Sequence, residues 1–272
     1  MQETEKLRID VALCSRGLAA SRERAQALID AGLVYAGGVQ VKKASMKVDE
    51  NTELELRGEA CPYVSRGGFK LAQAIESFGL DVRGAVCIDV GASTGGFTDV
   101  LLQNGAALVY AVDVGTAQLD PKLDADPRVI KMEQTNARVL TREMFDPVPT
   151  IAVMDVSFIS IAKILPALRD VVGERGRLVS LVKPQFEAGR AALGKKGVIS
   201  NAAVHERVLK DVAAFAPACG WRVRAFDASP IAGTQGNLEF LADFVPDDGM
   251  TPSPDVQAIK AVVKKAHMMC KK

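Results

Sequence analysis

The sequence of 272 residues is poor in histidine, and its cysteines are few and scattered. It contains two histidines and five cysteines, and no Cys-x-x-Cys pair occurs. This distribution argues against a zinc site of the Cys/His type and against a disulfide framework, so we predict no bound metal. Free thiols of this kind suit the reducing conditions of the cytoplasm.

Charge of one sign does not dominate, and long apolar runs are missing. The 34 Lys and Arg residues nearly balance the 33 Asp and Glu residues, so net charge alone does not indicate a nucleic-acid partner. No apolar stretch approaches the roughly 20 residues of a membrane-spanning helix. The acidic start, residues 1–6, has no apolar segment behind it as a secretory signal would. We therefore expect a cytoplasmic protein with no membrane partner.

Two parts of the chain follow different patterns, within a composition (48% hydrophobic, 25% charged) typical of globular proteins. In residues 1–60, two short helical patterns precede a hairpin signal at Gly37-Gly38, which predicts a small α+β unit. From about residue 84, apolar strand-like runs alternate with helical stretches, which predicts a parallel, doubly wound α/β sheet. Two late runs, 221–226 and 238–245, predict an antiparallel hairpin that closes this sheet.

A joint that combines Pro62 with Gly67 and Gly68 separates the two parts, and a turn-rich stretch follows the sheet. The proline stiffens the joint and the glycines make it flexible. The predicted segments are a domain over 1–60, a linker over 61–68, a domain over 69–246 and a basic C-terminal tail over 247–272.

A glycine-rich turn follows the first strand of the second part and predicts a cofactor site. Ligands of open α/β sheets bind at the carboxyl ends of the strands. The order G-x-x-x-G-G lacks the close glycine of a dinucleotide fingerprint, so S-adenosylmethionine, which has no phosphates, fits better. Asp113 is placed to accept hydrogen bonds from ribose hydroxyls, and Asn136 to read adenine. The predicted cofactor residues are Asp89, Gly91, Ala92, Ser93, Thr94, Gly95, Gly96, Phe97, Thr98, Asp113, Asn136 and Asp155.

Four ionisable residues stand where polar side chains are otherwise hard to explain. Asp155 and Lys183 each end a strand-like run, Lys70 follows the glycine joint, and Glu239 interrupts an apolar run. Because strand ends meet at one edge of a parallel sheet, Asp155 and Lys183 are expected beside the cofactor cleft.

With these motifs the chain resembles the TlyA family of ribosomal RNA 2′-O-methyltransferases, relatives of the FtsJ-type (RrmJ-like) enzymes. The resemblance runs from about residue 7 to residue 245. It implies a Rossmann-like class I S-adenosylmethionine-dependent methyltransferase sheet with a small N-terminal α+β S-four-like RNA-binding domain. The segments that carry it are Ser21-Arg22, Leu28-Ile29, Gly32, 39–43, 63–71 and Gly95-Gly96-Phe97.

The resemblance also implies a catalytic Lys-Asp-Lys-Glu tetrad at Lys70, Asp155, Lys183 and Glu239. A ribose 2′-hydroxyl is a poor nucleophile until its proton leaves, so oxygen methylation needs a base. Burial and a nearby cation lower the pKa of a lysine towards that role. We interpret Lys183 as the base, Asp155 as the group that orients it, Lys70 as the stabiliser of the oxyanion and Glu239 as their support. The sequence leaves open which lysine is the base.

The expected partner is ribosomal RNA or a ribosomal subunit, bound by a monomeric enzyme. The resemblance points to a cytidine, whereas the residues themselves do not name the nucleotide. Phe158 is a candidate for stacking on the target base, with core packing as the alternative. The remaining candidate RNA contacts are Arg16, Arg22, Arg24, Lys42, Lys43, Arg66, Arg190, Lys195 and Lys196.

Two rival functions and one hinge hypothesis stay open at this point. The rivals are an RNA-binding ribosome-assembly factor without turnover and a membrane-active haemolysin. The hinge hypothesis states that docking on RNA moves the 61–68 joint and brings Lys70 into the tetrad; a passive linker is its alternative.

Overall fold

The computed structural model describes residues 6–19, 21–30, 32–57, 61–194, 197–233 and 235–269, without the side chains of residues 23, 24, 27 and 30. The chain divides into two compact units, Met1–Arg66 and Gly67–Lys272. In these ranges no helix is long and apolar enough to cross a membrane.

The first unit is a small α+β structure, as predicted. Its turn at Gly37 and Gly38 has φ values of +55° and +79°, which glycine adopts without steric cost. The core lies between the two helices and the short strands and includes Ile9, Leu13 and Val34. The elements are β1 (Leu7–Arg8), α1 (Ile9–Ser15), α2 (Arg22–Asp30), β2 (Val34–Ala36), β3 (Val39–Gln40), β4 (Lys47–Val48) and β5 (Leu54–Leu56), with β1 paired to β4 and β2 paired to both β3 and β5.

The second unit contains the predicted alternation of strands and helices. Its elements are α3 (Gly67–Phe78), β6 (Val86–Val90), α4 (Gly96–Gln103), β7 (Leu108–Val112), α5 (Pro121–Asp124), β8 (Val129–Met132), β9 (Ile151–Met154), α6 (Leu165–Val172), β10 (Arg177–Val182), α7 (Pro184–Glu187), α8 (Ala202–Phe215), β11 (Trp221–Ala228), β12 (Phe240–Pro246) and α9 (Val256–Met269).

The strands of the second unit form one sheet in the order β11-β12-β10-β9-β6-β7-β8. The ladders that join β10, β9, β6, β7 and β8 are parallel, and β12 is antiparallel to both of its neighbours. The prediction of a doubly wound sheet with a reversed last strand is therefore confirmed. The central strand β9 is buried along its whole length, as expected for a parallel strand that helices cover on both faces.

The joint between the two patterns differs from its prediction. Helix α3 begins at Gly67, so Gly67 and Gly68, which the sequence assigned to a flexible linker, form its first turn. The apolar side chains of Leu71 and Phe78 are buried, and this packing extends the helix back through the glycines. Lys70 is therefore held by a packed helix.

The segment predicted as a basic tail is also corrected. Helix α9 buries Ile259, Val263 and Ala266 in the main hydrophobic core of the second unit. These residues recur at the spacing of one helix face, a signal that the lysines between them obscured. The helix is therefore a packed part of the second unit.

Candidate active site

The carboxyl ends of four parallel strands bring the candidate residues to one edge of the sheet. The turn that begins at Gly91 follows β6, Asp113 follows β7, Asp155 follows β9, and Lys183 follows β10. Because these strands are parallel neighbours, residues far apart in sequence meet at this edge.

A cavity of about 420 Å³ lies at this edge of the sheet. Its walls combine apolar side chains with a small number of polar groups, as is typical of small-molecule sites. Five of the predicted cofactor residues line it, namely Gly91, Ser93, Asp113, Asn136 and Asp155.

Gly91 allows the turn after β6 to pass close to the loop after β9. It has φ +82°, and a Cβ atom there would lie 2.6 Å from the backbone oxygen of Asp155, so no larger residue fits.

Two backbone amides fix the position of the Asp113 carboxylate. Ser93 N donates to Oδ2 at 2.9 Å and Gly115 N donates to Oδ1 at 2.7 Å. A carboxylate accepts about four hydrogen bonds, so lone pairs of Asp113 stay available to a ligand.

The other predicted cofactor residues support the turn and do not line the cavity. Asp89 is fully buried and accepts hydrogen bonds from Thr98 N at 2.9 Å and Thr98 Oγ1 at 2.7 Å. Burial raises the pKa of Asp89 to about 7, against the effect of these hydrogen bonds. Phe97 and Thr98 are buried because α4 turns them towards the core. The residues outside the cavity wall are Asp89, Ala92, Thr94, Gly95, Gly96, Phe97 and Thr98.

The four tetrad candidates form a continuous chain of ion pairs. Lys183 Nζ lies 2.6 Å from Asp155 Oδ1, and Lys70 Nζ lies 3.3 Å from Asp155 Oδ2. Lys70 Nζ also lies 2.6 Å from Glu239 Oε2. The ion pairs therefore connect the four side chains in the order Lys183, Asp155, Lys70, Glu239. Lys183 Nζ also donates a hydrogen bond to Ser157 Oγ at 2.8 Å.

Burial strengthens the attraction between these opposite charges, and it also raises the free energy of keeping each group charged. Lys70, Lys183 and Glu239 are each at most 9% exposed. Burial lowers the pKa of Lys70, but the negative charges of Asp155 and Glu239 outweigh it and leave the pKa above its ordinary value. Burial raises the pKa of Asp155, and the two lysines outweigh it in turn, so that this pKa is lowered. Lys70 and Asp155 are therefore both charged at neutral pH.

A second cavity of about 310 Å³ is lined by Lys70, Lys183 and Glu239. Ser157 and Phe158 line both cavities, so the tetrad lies where the two meet. Phe158 is 91% exposed and has φ +65°, a conformation that only a strained loop imposes on a bulky residue. Core packing, the alternative left open for this ring, is therefore excluded.

The predicted RNA contacts of the first unit fall into two groups. Arg16 donates to the backbone oxygens of residues 49, 50 and 52, and Arg22 pairs with Asp10 at 2.8 Å. These two arginines hold the unit together, whereas Lys42 and Lys43 are exposed. Arg66 is half-buried, and Arg190 in the second unit is exposed. The side chains of Arg24, Lys195 and Lys196 lie outside the described residues.

Sequence reasoning missed four polar residues of the second cavity: Ser157, Gln185, Gln235 and Asn237. Ser157 and Gln185 lie two residues beyond the strand-end candidates Asp155 and Lys183. This position was the signal in the sequence that could have identified them. Asn237 gave none, because an asparagine after a glycine reads as an ordinary turn. Among the described residues, no group of three or more His, Cys, Asp or Glu could hold a metal ion.

The sheet order, the glycine turn and the acidic residue after β7 define the class I S-adenosylmethionine-dependent methyltransferase fold. The family model described as FtsJ-like methyltransferase matches residues 63–244, and the S4 domain model matches residues 7–54. The chain belongs to the FtsJ-like methyltransferase family and carries an S4 domain at its N-terminal side.

Similar proteins carry two kinds of name. The chain is 44% identical to the 16S/23S rRNA (cytidine-2′-O)-methyltransferase TlyA of Mycobacterium tuberculosis, over 87% of this chain and 88% of that protein. It is 42% identical to Hemolysin A of Brachyspira hyodysenteriae, over 88% of this chain and 100% of that protein. A solved structure from Streptococcus thermophilus, described as a hemolysin, has a TM-score of 0.78 and 48% identity and covers 98% of each chain.

Proposed function

We propose that this chain is a ribosomal RNA methyltransferase that transfers a methyl group from S-adenosylmethionine to the ribose 2′-hydroxyl of a cytidine. The observation that carries the proposal is the set of buried ion pairs that joins Lys183, Asp155, Lys70 and Glu239 where the two cavities meet. The relatives named as cytidine 2′-O-methyltransferases supply the acceptor nucleoside.

The first cavity fits S-adenosylmethionine in its size and its polar groups. Gly91 lines this cavity without a side chain that would fill it, and the fixed Asp113 carboxylate can accept hydrogen bonds from ribose hydroxyls. Apolar residues such as Val112, Val114 and Ile164 line the rest of the wall and suit an adenine ring. When bound, this cofactor supplies an electrophilic methyl group.

The second cavity holds the acceptor ribose, and the tetrad prepares its oxygen. In its neutral form, Lys183 Nζ accepts the proton of the 2′-hydroxyl, while Asp155 and Ser157 fix the position of this nitrogen. Lys70 stays charged because two carboxylates raise its pKa. Its ammonium group stabilises negative charge on the oxygen as the proton leaves. Glu239 holds Lys70 in place.

Phe158 offers its exposed ring to the target base at the junction of the cavities. An exposed aromatic ring gains stacking energy of about 1–3 kcal/mol per base. A base that stacks on this ring is unstacked from its neighbours in the RNA, and this would hold its ribose at the second cavity.

The S4 domain and the exposed basic residues dock the RNA. Lys42 and Lys43 in the first unit and Arg190 in the second are the phosphate contacts that the described residues favour. Because the proposed substrate is ribosomal RNA, the enzyme acts in the cytoplasm, and we retain the prediction that it is monomeric.

Mass spectrometry of ribosomal RNA from a deletion strain tests the proposal. A 2′-O-methylcytidine should disappear and return on complementation, and purified protein should restore it on unmodified subunits in vitro. RNA binding without methyl incorporation would instead favour an assembly factor without turnover. Leakage of liposomes caused by pure protein would favour the haemolysin.

A further inference from the structure

The amide side chain of Gln185 lies at the second cavity and has no role in the proposed mechanism. Gln185 is the second residue of α7, two residues after Lys183, and it lines the cavity beside Phe186. Its Oε1 atom is buried and has no hydrogen-bond partner within the described part of the chain. Buried polar atoms in folded proteins are nearly always paired, so an unpaired one requires an explanation.

Asn237 shows what a satisfied amide in the same cavity looks like. Its Oδ1 accepts a hydrogen bond from Ile199 N at 2.9 Å, and its Nδ2 donates to Gly197 O at 3.1 Å. The Asn237 amide is therefore used to join two loops. The carbonyl of Gln185 is left for a donor that the described protein does not provide.

We propose that Gln185 is a specificity-determining residue that accepts a hydrogen bond from the 4-amino group of the target cytosine. This inference rests on the proposed function. The pairing edge of cytosine presents an amino donor next to the N3 acceptor, and a primary amide presents an acceptor next to a donor. Uracil has a carbonyl oxygen at position 4 and leaves the buried Oε1 without that donor.

The aromatic residues around Gln185 support this position of the base. Phe186, the next residue in α7, lies 5.2 Å from the exposed ring of Phe158, measured between ring centroids. A base stacked on Phe158 is thereby directed towards α7. A site that is built to bond a substrate amino group rejects an analogue without it, because the protein group is then left unpaired.

Paired RNA substrates test the proposal with purified full-length protein. After the modified position has been mapped, an RNA is made with cytidine, with uridine or with the 2-pyrimidinone ribonucleoside, which lacks the 4-amino group, at that position. For wild type we expect kcat/KM to fall about tenfold or more when the amino group is removed. Gln185→Ala should methylate the cytidine and 2-pyrimidinone RNAs within about twofold of each other.

Two further variants separate recognition from stability. Gln185→Glu keeps an acceptor and should keep the preference for the amino group, whatever its effect on the overall rate. Gln73→Ala is the matched control, since the Gln73 amide is bonded to Ser77 in α3 and lies outside both active-site cavities. It should behave as wild type. Because each preference is a ratio within one variant, partial unfolding cancels.

The outcomes are distinct. A wild-type enzyme that does not distinguish the amino group, or a Gln185→Ala variant that keeps the full preference, overturns the role of Gln185. In the second case the amide binds water or a ribose hydroxyl. Absence of methyl incorporation by wild type into any of the RNAs instead contradicts the proposed function itself.

Discussion

The unit Met1–Arg66 and the unit Gly67–Lys272 each contain a carboxylate paired with two basic side chains. In the first unit, Asp10 pairs with Arg8 at 3.0 Å and Arg22 at 2.8 Å. In the second, Asp155 pairs with Lys70 and Lys183. The basic side chains around Asp10 are 47% and 58% exposed, whereas those around Asp155 are each 10% exposed.

Under the proposed function, this difference distinguishes a structural ion pair, at Asp10, from a catalytic one, at Asp155. An arginine keeps its proton at any pH a protein meets and binds a carboxylate with a rigid fork. The exposed guanidinium groups of Arg8 and Arg22 stay hydrated, so in this cluster only the Asp10 carboxylate is taken out of water. A buried lysine costs far more to charge, but it can lose its proton. The second unit, which has the larger core, buries Lys70 and Lys183 at the edge of its sheet.

The largest expected effect comes from removing a lysine of the Asp155 cluster, which consists of Asp155, Lys70 and Lys183. Lys183→Ala should lower kcat by about a hundredfold or more, because general-base catalysis contributes about 10²–10⁴-fold. Lys183→Arg should be equally inactive, since arginine keeps the charge but cannot accept the proton. Methyl transfer to unmodified subunits and calorimetric S-adenosylmethionine binding give both readouts. Lys131→Ala, at an exposed pair with Asp124, is the control.

Cofactor affinity should stay within a few-fold in both Lys183 variants. Activity in Lys183→Arg would mean that Lys183 serves only as a cation, and the contrast between the two clusters would then be wrong. Normal turnover in Lys183→Ala would remove this residue from the mechanism.

Deleting the first unit tests its role in docking. A chain that starts at Gly67 should fold and bind S-adenosylmethionine, because the sheet and the cofactor cavity belong to the second unit. Its kcat/KM on ribosomal substrate should fall about tenfold or more, since several phosphate contacts are lost. Circular dichroism checks the fold. Wild-type kcat/KM in the truncated protein would contradict RNA docking by the first unit.

A single methyl group near Glu239 should disturb the Asp155 cluster indirectly. A Cβ atom at Gly233 would lie 2.5 Å from Glu239 Oε1, so Gly233→Ala must displace this carboxylate from Lys70. We expect kcat to fall about tenfold, with cofactor binding unchanged. Gly236→Ala is the control, because it strains the backbone (φ +85°) while its methyl group meets open space. A loss in Gly236→Ala as large as that in Gly233→Ala would show that a disturbance of this loop is sufficient and that contact with the Glu239 carboxylate is not required.

The smallest effect concerns stability and is confined to the first unit. Arg8 and Arg22 hold the pKa of Asp10 well below its usual range. A lowered pKa contributes stability at pH values above the ordinary carboxyl pKa, and this contribution disappears as acid protonates the folded carboxylate. Asp10→Asn should therefore destabilise the unit by about 2 kcal/mol at pH 7, and the difference from wild type should shrink below about pH 4.

Hydrogen exchange at α1 and α2 measures this loss, and methyl transfer per bound RNA should be unchanged. A difference between Asp10→Asn and wild type that stays constant from pH 7 to pH 3 would show that the charge of Asp10 is not what stabilises the unit.

Local patterns were sufficient for the strands of the second unit and for the turn at Gly37-Gly38, whereas Leu7, which fits a helical pattern, lies in strand β1. The alternation of apolar runs gave the five parallel strands and the final hairpin, since burial on both faces imposes near-continuous apolar sequence. Local patterns misjudged Gly67 and α9. At Gly67 the helix is set by packing of Leu71 and Phe78, and in α9 three buried residues outweigh the lysines.

The sequence by itself determined the order of the elements and the types of residue at the strand ends, because both follow from periodicity and from where polar groups interrupt it. Only the tertiary structure decided which of these residues meet. Asp155 pairs with Lys70 at a sequence separation of 85 residues. Asp89 accepts hydrogen bonds from Thr98 behind the glycine turn, whereas Asp113 lines the cavity. Such pairings depend on how strands lie side by side in the sheet, and sequence spacing carries no record of that order.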